Sequence, residues 1–168
     1  EGGIREPFIA RWPGKIEPGS SCSVPVSGID LFPTFLDAIG AEAPEGKILD
    51  GVSLMPLLTG SGTIEDRALY WHFPIYLQGY VKKGHTETRD RKFRTRPGSA
   101  VRYGDWKLHE RFEDGGLELY NLKRDIGEKN NLADAEPEKT RELHAMLKAW
   151  RKQTGAPVPT ELNPEYEP

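Results

Sequence analysis

The sequence contains little sulfur. Among its 168 residues there are two methionines and a single cysteine, Cys22. A single cysteine excludes a disulfide within the chain, and residues 21–26 supply no histidine or cation that would activate the thiol as a nucleophile. We therefore interpret Cys22 as a structural or loop residue.

Long apolar runs and a strong charge of either sign are also missing. No run approaches the ~20 apolar residues that a membrane-spanning helix needs. The net charge of −3, with 29% charged residues, excludes a general nucleic-acid binder. Hydrophobic residues make up 36%, while 18 glycines and 14 prolines indicate many turns. The composition predicts one domain, or a domain with an attached lobe, that has a modest core and many irregular connections.

The first fourteen residues read Glu1-Gly-Gly-Ile-Arg-Glu-Pro-Phe-Ile-Ala-Arg-Trp-Pro-Gly14. The pair Gly2 and Gly3 permits backbone angles that other residues reach only at a cost. Pro7 favours an extended chain and residues 8–10 are apolar, so we expect a short buried strand there. Residues 12–14 predict a turn that ends this strand. Such a start is typical of the middle of a domain.

Three later segments have equally specific sequence patterns. They read Ile29-Asp-Leu-Phe-Pro-Thr34, Asp50-Gly-Val-Ser-Leu-Met-Pro-Leu-Leu-Thr-Gly60 and Asp125-Ile-Gly-Glu-Lys-Asn-Asn-Leu132. Together with the first fourteen residues, and in this order, they resemble the sulfatases, the arylsulfatase branch of the alkaline-phosphatase superfamily. Ile126 and Gly127 depart from that pattern, at or beside the position of a usual proline. The resemblance implies that the chain is a C-terminal portion, beginning just after a lysine that contacts the substrate sulfate.

The resemblance also implies a fold of the α/β class, with α+β character in this portion. Residues 1–63 would be the C-terminal part of the catalytic α/β domain. Residues 64–155 would form a small four-stranded antiparallel sheet packed with one C-terminal helix, and residues 156–168 an extended tail. The joint between them is the small flexible segment at residues 61–63.

The function implied by the resemblance is hydrolysis of sulfate esters by the full-length protein, arylsulfatase-like and possibly on sulfated carbohydrate. The calcium ligands and the formylglycine nucleophile would lie upstream of this chain, which alone should be inactive. Cys22 does not match the Cys/Ser-x-Pro/Ala-x-Arg pattern of that nucleophile, because Val24 and Val26 occupy its third and fifth places. The chain should therefore contain no catalytic residue and no metal ligand.

The expected partners are a sulfated small molecule or polysaccharide, with neither nucleic acid nor membrane. A homodimer, or pairing with the missing catalytic part, is also open, because apolar surface around residues 1–60 would otherwise face water. Family members suggest a periplasmic or secreted location. Two other functions remain open: a related phosphodiesterase or phosphonate hydrolase, and a non-catalytic glycan-binding or interaction module.

Local patterns predict two helical segments in the first part of the chain. Residues 30–40 have one apolar face, with Asp30 as the N-cap and Gly40 after the last turn. A metal-ligand role for Asp30 is the alternative. Asp50 and Gly51 predict a turn, after which Ser53 caps a short helix whose buried anchors are Leu54, Leu57 and Leu58.

The second part of the chain has the pattern of a meander followed by a helix. Strands are expected at residues 67–74, 100–103, 106–110 and 117–121, with a hairpin turn at Gly104 and Asp105 and a polar loop over residues 75–97. The turn at 125–132 is explained by side-chain bonds from Asp125 and from Asn130 or Asn131. The last helix should span roughly 136–153, with an apolar stripe of Leu143, Met146, Leu147 and Trp150 lying on the sheet.

Two features could line a substrate pocket. His72 stands at the end of a strand just before a long loop, a position that favours a substrate contact; a packing histidine among aromatic neighbours is the alternative. His109 is a weaker candidate. The segment Lys82–Arg96 holds seven basic and two acidic residues, a net charge of +5, which could steer a sulfated polyanion or be a solvated loop. A tail contact through Tyr166 is also expected.

Overall fold

A computed structural model describes residues 1–79 and 93–161 of the chain. These residues form two compact units. Gly2–Asp66 make up the N-terminal unit, and Glu1 together with the described residues from Arg67 onward make up the sheet unit. The three-part division at residues 63 and 155 stays a prediction.

The N-terminal unit contains the predicted helical segments. A single 3-10 turn, Gly28–Asp30, leads into α1 (Leu31–Ile39), and α2 is Met55–Leu58. Gly40 ends α1 in the left-handed conformation at φ 68°, as its predicted place after the helix requires. The apolar face of α1 is largely exposed, with Phe35 at 62% and Ile39 at 76%. Of the three leucines expected as anchors in and beside α2, Leu54 is fully buried and the other two are half-buried.

Asp30 is buried, but it does not cap α1 with its side chain. Its carboxylate instead accepts the main-chain N–H of Ser27 at 2.7 Å and of Val52 at 3.1 Å. Asp30 therefore occupies the predicted N-cap position of α1, but its carboxylate accepts N–H groups outside that helix. Gly51 makes this approach possible, since an added Cβ would lie 2.1 Å from the Ile29 carbonyl oxygen.

The predicted buried strand at residues 8–10 is wrong. In the described residues 1–66 there is no strand, and Ile9 is 88% exposed. An extended segment becomes a strand only when a neighbour supplies the other half of the hydrogen-bond ladder. The turn that follows is confirmed, because Trp12 accepts the N–H of Lys15 and Ile16 at 3.0 and 2.9 Å.

The sheet unit confirms the four-stranded antiparallel sheet and its C-terminal helix. The strand order is β1-β4-β5-β6. The hairpin is closed at Gly104, φ 58°, with Tyr103 opposite Trp106. The elements are β1 (Leu69–Phe73), β2 (Leu77–Gly79), β3 (Phe93–Thr95), β4 (Gly98–Tyr103), β5 (Trp106–Arg111), β6 (Leu117–Asn121) and α3 (Pro137–Thr154).

The expected loop over residues 75–97 contains a second, two-stranded sheet, so that prediction is wrong in part. β2 and β3 pair with Leu77 opposite Thr95. Glu113 binds the residue before β2 and the residue after β3. Tyr76 donates to its Oε1 at 2.6 Å, and Arg96 donates to its Oε2 at 2.7 Å. Most of the basic segment Lys82–Arg96, and Tyr166, lie outside the described residues.

The core of the sheet unit lies between α3 and one face of the sheet. Its five fully buried residues are Val101, Leu108, Leu119, Leu143 and Leu147. Burying one such side chain is worth about 1.5–3 kcal/mol. Met146 and Trp150 pack against this core, and Trp150 stacks on Tyr70 with 4.8 Å between ring centroids. The predicted stripe of α3 is confirmed. Among the described residues no helix is long and apolar enough to cross a membrane.

Candidate functional site

A cluster of charged side chains covers the sheet face opposite α3. Successive residues of a strand point to opposite faces, so the packing of Leu108 against α3 places Lys107 and His109 on the other side. There they meet Glu1, Arg102 and Glu128, and we call these five residues the Glu1 cluster. Its charged groups are paired, as buried charges must be to remain ionised.

Lys107 is the centre of the Glu1 cluster. Its side chain is 2% exposed, and its Nζ lies 2.8 Å from Glu1 Oε1 and 2.9 Å from Glu128 Oε1. The ring of Trp71 covers the same ammonium group at 5.9 Å from the ring centroid. Arg102 approaches the other oxygen of Glu1 at 3.8 Å. Two carboxylates thus share one buried ammonium group.

Glu128 is presented by the turn that follows β6. The Asp125 carboxylate accepts the N–H groups of Lys129 and Asn130, each at 2.8 Å. Asn131 Oδ1 accepts the N–H of Leu119 at 2.9 Å and ties the turn to β6. The predicted side-chain bonds of this turn are therefore confirmed. Glu128 itself has φ 52°, a left-handed conformation that costs a non-glycine residue about 1–2 kcal/mol.

The carboxylate of Glu128 faces three donors. Burial raises its pKa, but hydrogen bonds from His109, from the terminal amino group of Glu1 and from Lys107 outweigh burial and hold the pKa far below its ordinary value. The His109 Nε2 contact is 3.1 Å and the Glu1 nitrogen contact is 2.8 Å. Glu128 is therefore ionised at neutral pH. Through Lys107 it is also linked to the side chain of Glu1.

A second ion cluster joins β5 to α3 on the opposite face. Glu110 accepts from Arg151 Nη1 at 2.6 Å, and its other oxygen lies 3.2 Å from His144 Nε2. Burial raises the pKa of Glu110, while Arg151 and His144 together bring it below the ordinary value. Arg151 also lies over the ring of Phe112, 5.3 Å from its centroid. This cluster stabilises helix packing and does not touch Glu1.

His72 has both ring nitrogens engaged within the sheet unit. Nδ1 is 2.8 Å from Ser99 Oγ, and Nε2 is 2.9 Å from the carbonyl oxygen of Pro157. A carbonyl only accepts, so Nε2 carries the hydrogen and donates it. The ring lies beside Phe112 and Trp150. The substrate-contact role of His72 stays a prediction, and a substrate would have to replace the Pro157 carbonyl to reach Nε2.

Metal-ligand chemistry finds no support in the described part of the chain. Over residues 1–79 and 93–161 no group of three or more His, Cys, Asp or Glu side chains could hold a metal ion. Asp30, the one acid considered as a ligand, has N–H donors on both oxygens. The described residues therefore do not fit a calcium site. Cys22 is an exposed free thiol.

Comparison with known proteins identifies the family. Residues 1–154 match the family model of N-sulphoglucosamine sulphohydrolase, C-terminal. The chain belongs to the sulfatase family, as a C-terminal portion. It is 33% identical to a sulfatase of Formosa agariphila, over 94% of this chain and 29% of the relative. It is 31% identical to the steryl-sulfatase of Mus musculus, over 99% of this chain and 29% of the relative.

Comparison with solved structures agrees with the family assignment made from the sequence. A solved structure of a protein in complex with its substrate D-glucosamine-2-N,6-O-disulfate superposes with a TM-score of 0.64 and 28% identity. The match covers 91% of this chain and 29% of that protein. The sulfatase chain thus spans about 29% of the length of the relatives compared with it.

Sequence analysis missed the Glu1 cluster. It treated Glu128 as a turn residue and Lys107 as an unremarked strand position. Two signals could have identified them. Lys107 is a charged residue between the apolar Trp106 and Leu108. Glu128 is the acid in the Asp-x-x-Glu-x-x-Asn-Leu segment that carries the sulfatase resemblance.

Proposed function

We propose that this chain is the C-terminal portion of an enzyme that hydrolyses sulfate esters, with sulfated carbohydrate as the substrate class. The observation that carries the proposal is the family match over residues 1–154. The sugar disulfate bound by the structurally similar protein supports the carbohydrate class. The full-length protein would be the enzyme.

The chemistry of such an enzyme needs a nucleophile, a cation and groups that stabilise charge on the leaving oxygen. We place the formylglycine nucleophile and the calcium ligands outside this chain. Within it, His72 and the basic segment Lys82–Arg96 are the residues proposed to meet the substrate. A periplasmic or secreted location, and pairing of this portion with a catalytic part or with a second copy, are also proposed.

Turnover by the full-length protein tests this proposal. We expect hydrolysis of 4-nitrophenyl sulfate and of sulfated glucosamine, and none by the 168-residue chain alone. Phosphonate monoesters and phosphodiesters should be poorer substrates by kcat/KM. Preferential turnover of these phosphorus esters would favour the related hydrolase instead. Glycan binding without turnover would favour a non-catalytic module.

A further inference from the structure

We propose that Glu113 is a positioning residue that holds the paired strands β2 and β3 on the turn between β5 and β6, and thereby raises the affinity of the protein for sulfated polysaccharide. The inference rests on the proposed function and deepens it, because Lys82–Arg96 is a segment proposed to meet the substrate. β2 precedes that segment and β3 lies within it. Glu113 acts by holding the strand pair and not by touching the substrate.

The β2–β3 pair is joined to the four-stranded sheet through a break in both strands. The two ladders end at Phe73 opposite Gly98 and at Leu77 opposite Thr95. Between these pairs lie three residues on one strand and two on the other, and each side contains a proline, which has no N–H for a ladder. An extra residue on one strand bends a strand pair locally. The ladder of the larger sheet therefore does not fix the direction of the β2–β3 pair.

Hydrophobic packing restrains this region only weakly. The consecutive residues Ile75, Tyr76 and Leu77 are 60%, 46% and 44% exposed. Hydrophobic stabilisation scales with the apolar area removed from water, so these side chains contribute little to the placement of β2. Polar contacts consequently have a larger share in it.

Glu113 contacts both sides of the break at once. The Tyr76 hydroxyl donates to its Oε1 at 2.6 Å, and Arg96 Nη1 donates to its Oε2 at 2.7 Å. These two bonds hold the pKa of Glu113 below its ordinary value, so the carboxylate is charged at neutral pH. Charge-assisted hydrogen bonds are stronger than neutral ones. One carboxylate with a donor from each strand restrains both strands together.

The turn that carries Glu113 is itself ordered by hydrogen bonds. The N–H of Gly116 donates to Asp114 Oδ1 at 2.8 Å and closes the turn. One residue before Glu113, the N–H of Phe112 donates to the carbonyl oxygen of Pro97 at 3.1 Å. The turn is thus attached to the sheet side of the break. Glu113 connects this ordered support to the less restrained β2–β3 pair.

Glu118 provides a matched control. Its Oε2 accepts from the Tyr120 hydroxyl at 3.0 Å and from Arg111 Nη2 at 3.4 Å, and its side chain is 24% exposed, compared with 31% for Glu113. These two donors lie on β6 and β5, so their bonds do not reach the β2–β3 pair. Glu113→Gln and Glu118→Gln each remove one negative charge. Any general gain in attraction for a polyanion should therefore be similar in the two variants.

Two measurements on the full-length protein should separate the variants. Hydrogen exchange in peptides covering residues 74–79 and 93–97 should rise about threefold in Glu113→Gln and stay at the wild-type rate in Glu118→Gln, because exchange reports local opening and an exposed ion pair is a modest restraint. The Kd for dextran sulfate should increase about threefold in Glu113→Gln alone, since a loosened strand pair must be ordered again on binding. Both kcat and KM for the small substrate 4-nitrophenyl sulfate should stay unchanged.

Each outcome decides one part of the inference. Equal exchange in the two variants would overturn the holding of the β2–β3 pair by Glu113. Faster exchange with unchanged affinity for dextran sulfate, or no binding of dextran sulfate by the wild type, would overturn the role in polysaccharide binding. An equal loss with 4-nitrophenyl sulfate would show general damage and would overturn that role as well.

The proposed function and this inference fail in different ways. A wild-type protein without sulfatase activity would overturn the proposed function, while exchange and dextran sulfate binding would still decide the role of Glu113. If Glu113→Gln does not fold, Tyr76→Phe removes one of the two bonds. It should shift exchange and affinity in the same direction by a smaller factor, and wild-type values for both would overturn the inference.

Discussion

The two units of the chain bury their apolar side chains to very different extents. The sheet unit has five core side chains with no exposure at all. In the N-terminal unit Leu54 is the only fully buried hydrophobic residue, and Phe35 and Ile39 face water. The N-terminal unit is held instead by polar contacts around Asp30 and Thr34. Hydrophobic burial scales with area, so the stability of this chain should reside mainly in the sheet unit.

The largest expected effect is the loss of a core side chain in the sheet unit. Leu108→Ala should lower the free energy of unfolding of the chain by about 2–5 kcal/mol, because the cavity between β5 and α3 cannot close fully. Urea unfolding followed by tryptophan fluorescence measures this loss. Ile9→Ala in the N-terminal unit is the control and should change it by less than about 0.5 kcal/mol. Equal losses in both variants would abolish the contrast between the units.

Acid should lower the free energy of unfolding of the sheet unit, by less than Leu108→Ala does and by more than the surface substitution described last. The pKa values of Glu128 and Glu110 are lowered in the folded chain from the ordinary value of 4.5, because hydrogen bonds from cations and histidines outweigh burial. Their stabilising contribution is therefore fully present above pH 4.5 and is lost progressively as the pH falls below it.

Unfolding free energies measured from pH 7 down to pH 2 test this acid dependence. The double variant Glu110→Gln/Glu128→Gln should be less stable than the wild type at pH 7 and should lose less stability on acidification. Parallel curves for the two proteins would show that other carboxylates cause the acid loss.

The smallest expected effect concerns the exposed face of α1. Phe35→Ser should change the stability of the 168-residue chain by no more than about 0.5 kcal/mol, since an exposed side chain gains little on folding. It should also reduce any self-association, measured by sedimentation, because the exposed apolar face of α1 loses an aromatic ring. A loss of several kcal/mol in the full-length protein would show that this face is buried there, and so would sharpen the contrast between the units.

Sequence reasoning succeeded where the signal is local. Gly40 and Gly104 identify a helix end and a hairpin from one residue each, and the stripe of α3 follows from a repeat within eighteen residues. It failed where a distant partner decides. Within the described residues, the segment 8–10 has no neighbouring strand to pair with. The carboxylate of Asp30 bonds to the N–H of Val52 and not to its own helix.

The candidate site shows the same difference between features set by local sequence and features set by a distant partner. The Asp125 turn was predicted because its bonds span four or five residues. The contact between Lys107 and Glu1 spans 106 residues. No spacing within either segment specifies that contact, and only the folded sheet brings the two residues together. β2 and β3 were missed for a simpler reason, since three-residue strands produce almost no periodic pattern.

Position 128 also sets a limit on engineering this turn. Glycine or asparagine would suit its φ of 52° better than glutamate, so a stability-guided redesign would select them. Such a change would relax the backbone and remove a carboxylate that contacts both Lys107 and His109. We therefore expect the stability gained in the backbone to be offset at the buried ammonium group of Lys107, which would keep the carboxylate of Glu1 and lose that of Glu128.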